Sequence, residues 1–132
     1  MKRGGILHGE LAKLLADLGH TDRFLVVDSG FPIPEGVPVV DLRVVYGLPG
    51  FEPVLRAILD DVVVEAVLLA EELPGANPVI DAVIREIVDA PRASTSHAEL
   101  KQSASEARFA VRTAEDTPYA NVLLTAGVGF PI

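Results

Sequence analysis

Two short, unbroken apolar runs, Phe24-Leu25-Val26-Val27 and Ala66-Val67-Leu68-Leu69-Ala70, constrain this chain more than any other feature. A strand that is apolar on both of its alternating faces needs a covering layer on each side of the sheet, and the intervening sequence supplies helices to do it. Leu7, Leu11, Leu14, Leu15 and Leu18 recur at helical spacing, with Gly19 placed for a left-handed cap, so the first helix is expected to end just before His20. Asp28-Ser29-Gly30, Pro32 and Pro34 close the first run, and Val37 to Leu42 reads as a Pro-marked second strand near a sheet edge.

Pro49 and Pro53 flank the opening of a second helix whose apolar face is Phe51, Val54, Leu55, Ile58 and Leu59. After the second run, Asn77-Pro78 forms an N-cap and first-turn pair ahead of the stripe Val79, Ile80, Val83, Ile84, Ile87 and Val88. Arg92 to Thr95 is a short strand, and Ser96-x-x-Glu99 has the form of a capping box that starts a helix at His97. Arg108 to Arg112 and Asn121 to Thr125 complete the strands, separated by Thr117-Pro118-Tyr119. The alternation predicts a single α/β domain over residues 1–132, three-layered, with a mostly parallel sheet covered by helices on both faces. Ligands of such sheets bind at the loops after the strands.

Charge and composition narrow the function. A net charge of −8, 5% aromatic residues and no Trp leave neither the basic stripe nor the stacking surface that nucleic acid requires. The absence of Cys removes thiolate chemistry and cysteine zinc sites. Met1-Lys2-Arg3 resembles the start of a signal peptide, but His8, Glu10 and Lys13 interrupt the apolar segment, and no run approaches the ~18 residues of a membrane span. The expected location is the cytoplasm, with no membrane or nucleic-acid partner.

Chemistry therefore falls to His, carboxylates, Tyr and the backbone. His20, expected at a helix C-terminus, sits where a cation is favoured; His97, in the first turn of a helix, sits where the neutral ring is favoured. Two imidazoles pushed apart in this way suit acid and base roles, although His20 equally suits a simple helix cap. His8 reads as a solvated residue at the start of the first helix. Asp28, at a strand end, is either a ligand group or an Asx-turn residue before Gly30. Tyr119 and Asn121 combine a phenol and a carboxamide beside a Pro turn, which suits a polyol, or else a Tyr packed on the core edge. No P-loop, dinucleotide turn, serine elbow or short-spaced metal-ligand pair is present, so neither a metal nor a cofactor is expected.

Gly5-Ile6-Leu7, Leu18-Gly19-His20-Thr21-Asp22, Asp28-Ser29-Gly30-Phe31-Pro32-Ile33-Pro34, Arg112-Thr113, Thr117-Pro118-Tyr119-Ala120-Asn121 and Ala126-Gly127-Val128 together resemble the D-ribose pyranase family of small sugar mutarotases. The resemblance runs from end to end. Fucose mutarotases share the Gly-His and Tyr-x-Asn elements, but the Gly-His-Thr-Asp and Pro-Ile-Pro wording resembles the ribose branch. Ser29 stands where Ala is usual and His8 where Asn is usual, departures that bear on the sugar more than on the reaction.

The resemblance implies an isomerase that interconverts the β-pyranose and β-furanose forms of D-ribose without metal, cofactor or covalent intermediate. It assigns the catalytic acid/base to His20 and substrate contacts to Asp28, His97, Tyr119 and Asn121, with Lys101 one helical turn beyond His97. On this reading Asp28 orients the His20 ring and favours its imidazolium. The resemblance further implies a homo-oligomer, a decamer of two stacked pentameric rings, with Tyr119 and Asn121 completing a neighbour's pocket that contains His20. The uncharged tail Ala126 to Ile132 is expected to pack on that neighbour, or else on its own subunit. A fucose-type mutarotase and a non-catalytic sugar-binding or assembly subunit are the alternatives.

Overall fold

The computed structural model describes residues 1–131. Its centre is one six-stranded sheet in the order β2-β5-β1-β6-β3-β4, built from β1 (Arg23–Val27), β2 (Val39–Asp41), β3 (Val64–Ala70), β4 (Arg92–Thr95), β5 (Ala110–Arg112) and β6 (Val122–Ala126). The pairs β1–β5, β2–β5 and β3–β4 are parallel, while β6 runs antiparallel between β1 and β3. The sheet is thus mostly parallel, and the expected edge position of the second strand is observed.

Alternation along β1 explains the two layers. Phe24 and Val26 face a core covered by α1 (Gly9–Ala16), α2 (Phe51–Leu59) and α4 (Pro78–Ile87), together with the single turn α3 (Leu73–Ala76). Leu25 and Val27 face a smaller core made with Phe31, Leu100 of α5 (His97–Ser103), and Ala104 in the 3-10 turn Ala104–Glu106. Helical cover on both faces, inferred from strands apolar on both sides, is what the chain adopts.

Two helix starts follow their sequence signals, at Asn77 and Ser96, and a third is capped by His8, which the sequence marked only as a solvated residue. His8 caps α1 by accepting the Leu11 N–H at Nδ1 (3.2 Å), Asn77 caps α4 through Oδ1 and the Ile80 N–H (3.3 Å), and Ser96 caps α5 through Oγ and the Glu99 N–H (3.1 Å). The expectation for the end of α1 is corrected. The helix stops at Ala16 with Asp17 as its cap, and Gly19 is not left-handed; the positive φ of that loop falls instead on Thr21, at 73°. Leu7 and Val79, expected on apolar helix faces, are each 72% exposed, so both stripes are shorter than their periodicity suggested. No helix among the described residues is long and apolar enough to cross a membrane.

Candidate active site

At the C-terminal end of β1, Asp28 is held from two sides. Asn121 Oδ1 accepts the Asp28 backbone N–H (2.8 Å), and Asn121 Nδ2 donates to Asp28 Oδ2 (3.1 Å). The other carboxylate oxygen accepts the Gly30 N–H (3.0 Å), which is an Asx turn. Asp28 is therefore both a turn former and a fixed acceptor at the sheet mouth. Asn121 is fully buried, and its carboxamide is committed to Asp28.

The Thr117–Asn121 segment reaches this point through a turn with specific supports. Tyr119 takes a left-handed φ of 59°, a conformation that costs a non-glycine residue energy and persists only when its surroundings enforce it. The buried Asn77 supplies that constraint: its Nδ2 donates to Thr117 Oγ1 (2.9 Å) and to the Pro118 carbonyl (2.8 Å) while its Oδ1 caps α4. Thr117 Oγ1 donates in turn to Glu115 Oε2 (2.6 Å), and Glu115 Oε1 accepts the Phe51 N–H at the start of α2 (2.9 Å). The starts of two helices are thereby tied to one turn.

His97 meets the edge of Tyr119, with ring centroids 5.0 Å apart at 85°, and that of Phe31 at 6.0 Å and 77°. Burial, reinforced by the positive charge of Lys101, holds its pKa below the ordinary imidazole value, while the carboxylates of Glu72 and Asp28 pull the other way. The direction is the one expected from the position of His97 on its helix, but the leading cause is burial. Glu72 also takes the His97 backbone N–H on both carboxylate oxygens (3.0 and 3.1 Å), fixing the start of α5. Lys101 is exposed on the same helix. Asp28, His97, Lys101, Tyr119 and Asn121 thus share one end of the sheet.

His20 does not join them. It precedes β1, whereas Asp28 follows it, and five strand residues, or about 16 Å of extended chain, lie between the two ends. Within one chain Asp28 cannot orient the His20 ring, and that expectation is corrected: the carboxylate beside His20 is Glu65 of β3, with Oε2 2.9 Å from Nε2. Nor does His20 cap a helix, since α1 has already ended at Ala16.

Glu65, Glu72 and Asn77 carry roles that the sequence reading did not assign to this chemistry. Asn77 carried a visible signal as a helix cap, and Glu65 carried a weaker one as the only charge within the run Val62 to Ala70. Among the described residues, no group of three or more His, Asp or Glu side chains has the geometry to hold a metal ion.

Carboxylate, imidazole, phenol and ammonium groups gather at the strand ends of this α/β sheet, the place where ligands of such sheets bind. The chain belongs to the RbsD / FucU transport protein family, whose model matches residues 1–129. It is 48% identical to the D-ribose pyranase of Exiguobacterium sibiricum over 98% of this chain and 100% of that one. Its structure matches that of Bacillus subtilis RbsD complexed with D-ribose, with TM-score 0.94 and 40% identity, covering 98% of this chain and 100% of that one. The match to FucU from Bifidobacterium longum is weaker, with TM-score 0.76 and 29% identity over 92% and 95% of the two chains.

Proposed function

We propose that the chain is a D-ribose pyranase, an isomerase that interconverts the β-pyranose and β-furanose forms of D-ribose. The observation that carries this reading is the clasped Asp28–Asn121 pair beneath His97 and Tyr119, in a chain similar over its whole length to a structure complexed with D-ribose. The greater similarity to RbsD than to FucU supports ribose over fucose.

The reaction needs only proton transfers. The anomeric hydroxyl loses a proton, the C1–ring oxygen bond breaks as that oxygen gains one, and the open aldehyde is recaptured by a different hydroxyl with the transfers reversed. His20 protonates the ring oxygen. Asp28, held rigid by Asn121 and Gly30, accepts from a sugar hydroxyl; Asn121 acts by fixing Asp28. His97 stays neutral and anchors the sugar beside Tyr119, whose ring edge offers an apolar wall and a phenol. Lys101 reaches toward sugar oxygens from the next turn of α5.

Because His20 and Asp28 lie at opposite ends of β1, a working site takes His20 from one copy and Asp28, His97 and Tyr119 from another. Each half-site is bordered by exposed apolar side chains: Val63, Val128 and Phe130 near Glu65 and Gly127, and Val44, Val45, Tyr46 and Leu48 beyond the Ser29 loop. We take the contact to be head-to-tail, the His20 surface of one copy against the Asp28 surface of the next, with a rotation that closes a ring. We take the assembly to be two stacked pentameric rings. In the tail, Gly127 donates to the Val63 carbonyl of its own chain (2.8 Å) and Phe130 is 81% exposed; Ile132 lies outside the described residues. The first part of the tail thus packs locally, and Phe130 is left for the neighbour. We place the reaction in the cytoplasm, where a kinase consuming the furanose finds its ATP.

Exchange NMR of D-ribose with purified protein tests the function. Acceleration of pyranose–furanose exchange that saturates with ribose supports it. Saturable binding without acceleration would instead make the chain a sugar-binding subunit.

A further inference from the structure

β3 and β6 pair in register except at one point: Val64 faces Ala126 and Ala66 faces Thr125, so Glu65 is an extra residue opposite no partner. This is a β-bulge, a device that redirects a side chain. Its effect is visible in the packing. Val64 lies against the same core as Val67 and Leu69, although an odd spacing would put it on the opposite face of a regular strand. Without the bulge, Glu65 would share the parity of Val67 and Leu69 and point its carboxylate into that core. With it, Glu65 turns outward, with Oε2 2.9 Å from His20 Nε2.

The histidine is held to the same spot from its own side. Gly19 N–H donates to Asp22 Oδ2 (2.8 Å), the left-handed Thr21 donates its N–H to the Ala126 carbonyl (2.9 Å), and Ala126 N–H donates to the Asp22 carbonyl (2.8 Å). The His20 loop is therefore docked on Ala126, the β6 residue that borders the bulge. Gly127 lets β6 leave along β3 at this place, since a Cβ there would stand 3.0 Å from Val63 Cγ1 and 3.3 Å from Glu65 Cβ. Imidazole and carboxylate are positioned by two loops that share one anchor.

We propose that Glu65 is the positioning residue for His20 in the mutarotation; this rests on the reading of His20 as the proton donor. A carboxylate only accepts, so His20 Nε2–H donates to it, and Nδ1 is left as the nitrogen that exchanges a proton with the sugar. Both side chains are about half exposed, so the pair adds little to stability, and the bulge that aims it is explained by ring orientation instead.

The test compares Glu65→Ala, Glu65→Gln and His20→Ala in the assembled protein by ribose exchange NMR over a range of ribose concentrations. Glu65→Ala is expected to lower kcat by roughly 10- to 100-fold, as for other groups that orient a functional imidazole, with KM little changed. Glu65→Gln, whose amide oxygen still accepts the Nε2–H, should recover most of that loss. Nitrogen-15 shifts of His20 supply a readout independent of turnover: the neutral ring should be protonated at Nε2 in the parent and in Glu65→Gln, and gain Nδ1–H population in Glu65→Ala. Parental kcat in Glu65→Ala while His20→Ala is inactive overturns the role of Glu65 alone, as does an Nδ1–H ring in the parent. Parental exchange in His20→Ala overturns the reading beneath it.

Discussion

His20 and Asp28 stand at opposite ends of the same strand, one just before β1 and the other just after it. The proposed proton donor and the proposed acceptor of a sugar hydroxyl are therefore separated by the length of β1, about 16 Å of extended chain. Each has its own local support: Glu65 at one end, Asn121 at the other. On the proposed mechanism one site draws His20 and Asp28 from two copies of the chain, and most of the expected behaviour follows from that proposal.

Asp28→Asn should preserve the fold. The backbone N–H of residue 28 still bonds Asn121 Oδ1 and an asparagine oxygen can still make the turn to Gly30, while the new amide NH2 faces Asn121 Nδ2 and costs about 1–3 kcal/mol of stability. Exchange should fall by about 10²-fold or more, the scale of a lost acid/base or charged hydrogen-bonding group. Thermal melts alongside exchange NMR check this; parental exchange by the folded variant would reduce Asp28 to a turn residue.

Asn77→Ala removes a buried carboxamide that caps α4 and holds both Thr117 and Pro118. A loss of about 1–3 kcal/mol is expected in urea unfolding, the usual cost when buried polar groups lose their partner. Exchange should also fall, because the left-handed Tyr119 turn loses its principal restraint. Unchanged stability would contradict the network.

His97 gives the protein a pH-dependent stability with a defined sign. Its folded pKa lies below the ordinary 6.5, so between those two values the unfolded chain binds more protons than the folded one. Stability should decline as pH falls from the ordinary value toward the folded value, then level off with respect to this residue. Urea midpoints from about pH 7.5 to about pH 5, compared between the parent and His97→Gln, isolate that contribution. A parent and variant with identical pH profiles would show that His97 is not held neutral by burial.

The donor set around Asp28 suits hydrogen bonding to a polyol, and activity should persist after dialysis against EDTA. Loss of exchange that a divalent ion restores would show that the chemistry runs through a metal.

Much of the fold was legible because its signals are local. Phe24 to Val27 and Ala66 to Ala70 announce strands buried on both faces, and Asn77-Pro78 and Ser96 announce helix starts that form as read. The resemblance points to Asp28, Tyr119 and Asn121 each as substrate contacts, but the sequence reading sets Asp28 beside His20 and not in the Asn121 clasp of its own chain. What stayed hidden depends on pairing register. Nothing in Val62-Val63-Val64-Glu65 indicates that β3 gains a residue against β6, so the partner of His20 could not be foreseen, and proximity of Asp28 was inferred in its place. The antiparallel insertion of β6 is equally invisible, since its five residues read like any buried strand. Gly19 misled for a related reason: its N–H serves the Asp22 carboxylate, and Thr21 takes the left-handed turn.

The two-copy site is tested most directly by mixing two inactive variants. His20→Ala lacks one half-site and Asp28→Asn the other, and each alone should show little ribose exchange. Unfolded together in equal amounts and refolded, they form rings in which roughly a quarter of the contacts join an intact His20 to an intact Asp28, because each copy contributes one half to each of its neighbours' sites. Exchange NMR on the mixture should then recover about a quarter of parental activity, while the variants refolded separately stay inactive. A mixture that forms assemblies of parental mass yet remains as inactive as its components would contradict a site shared between copies.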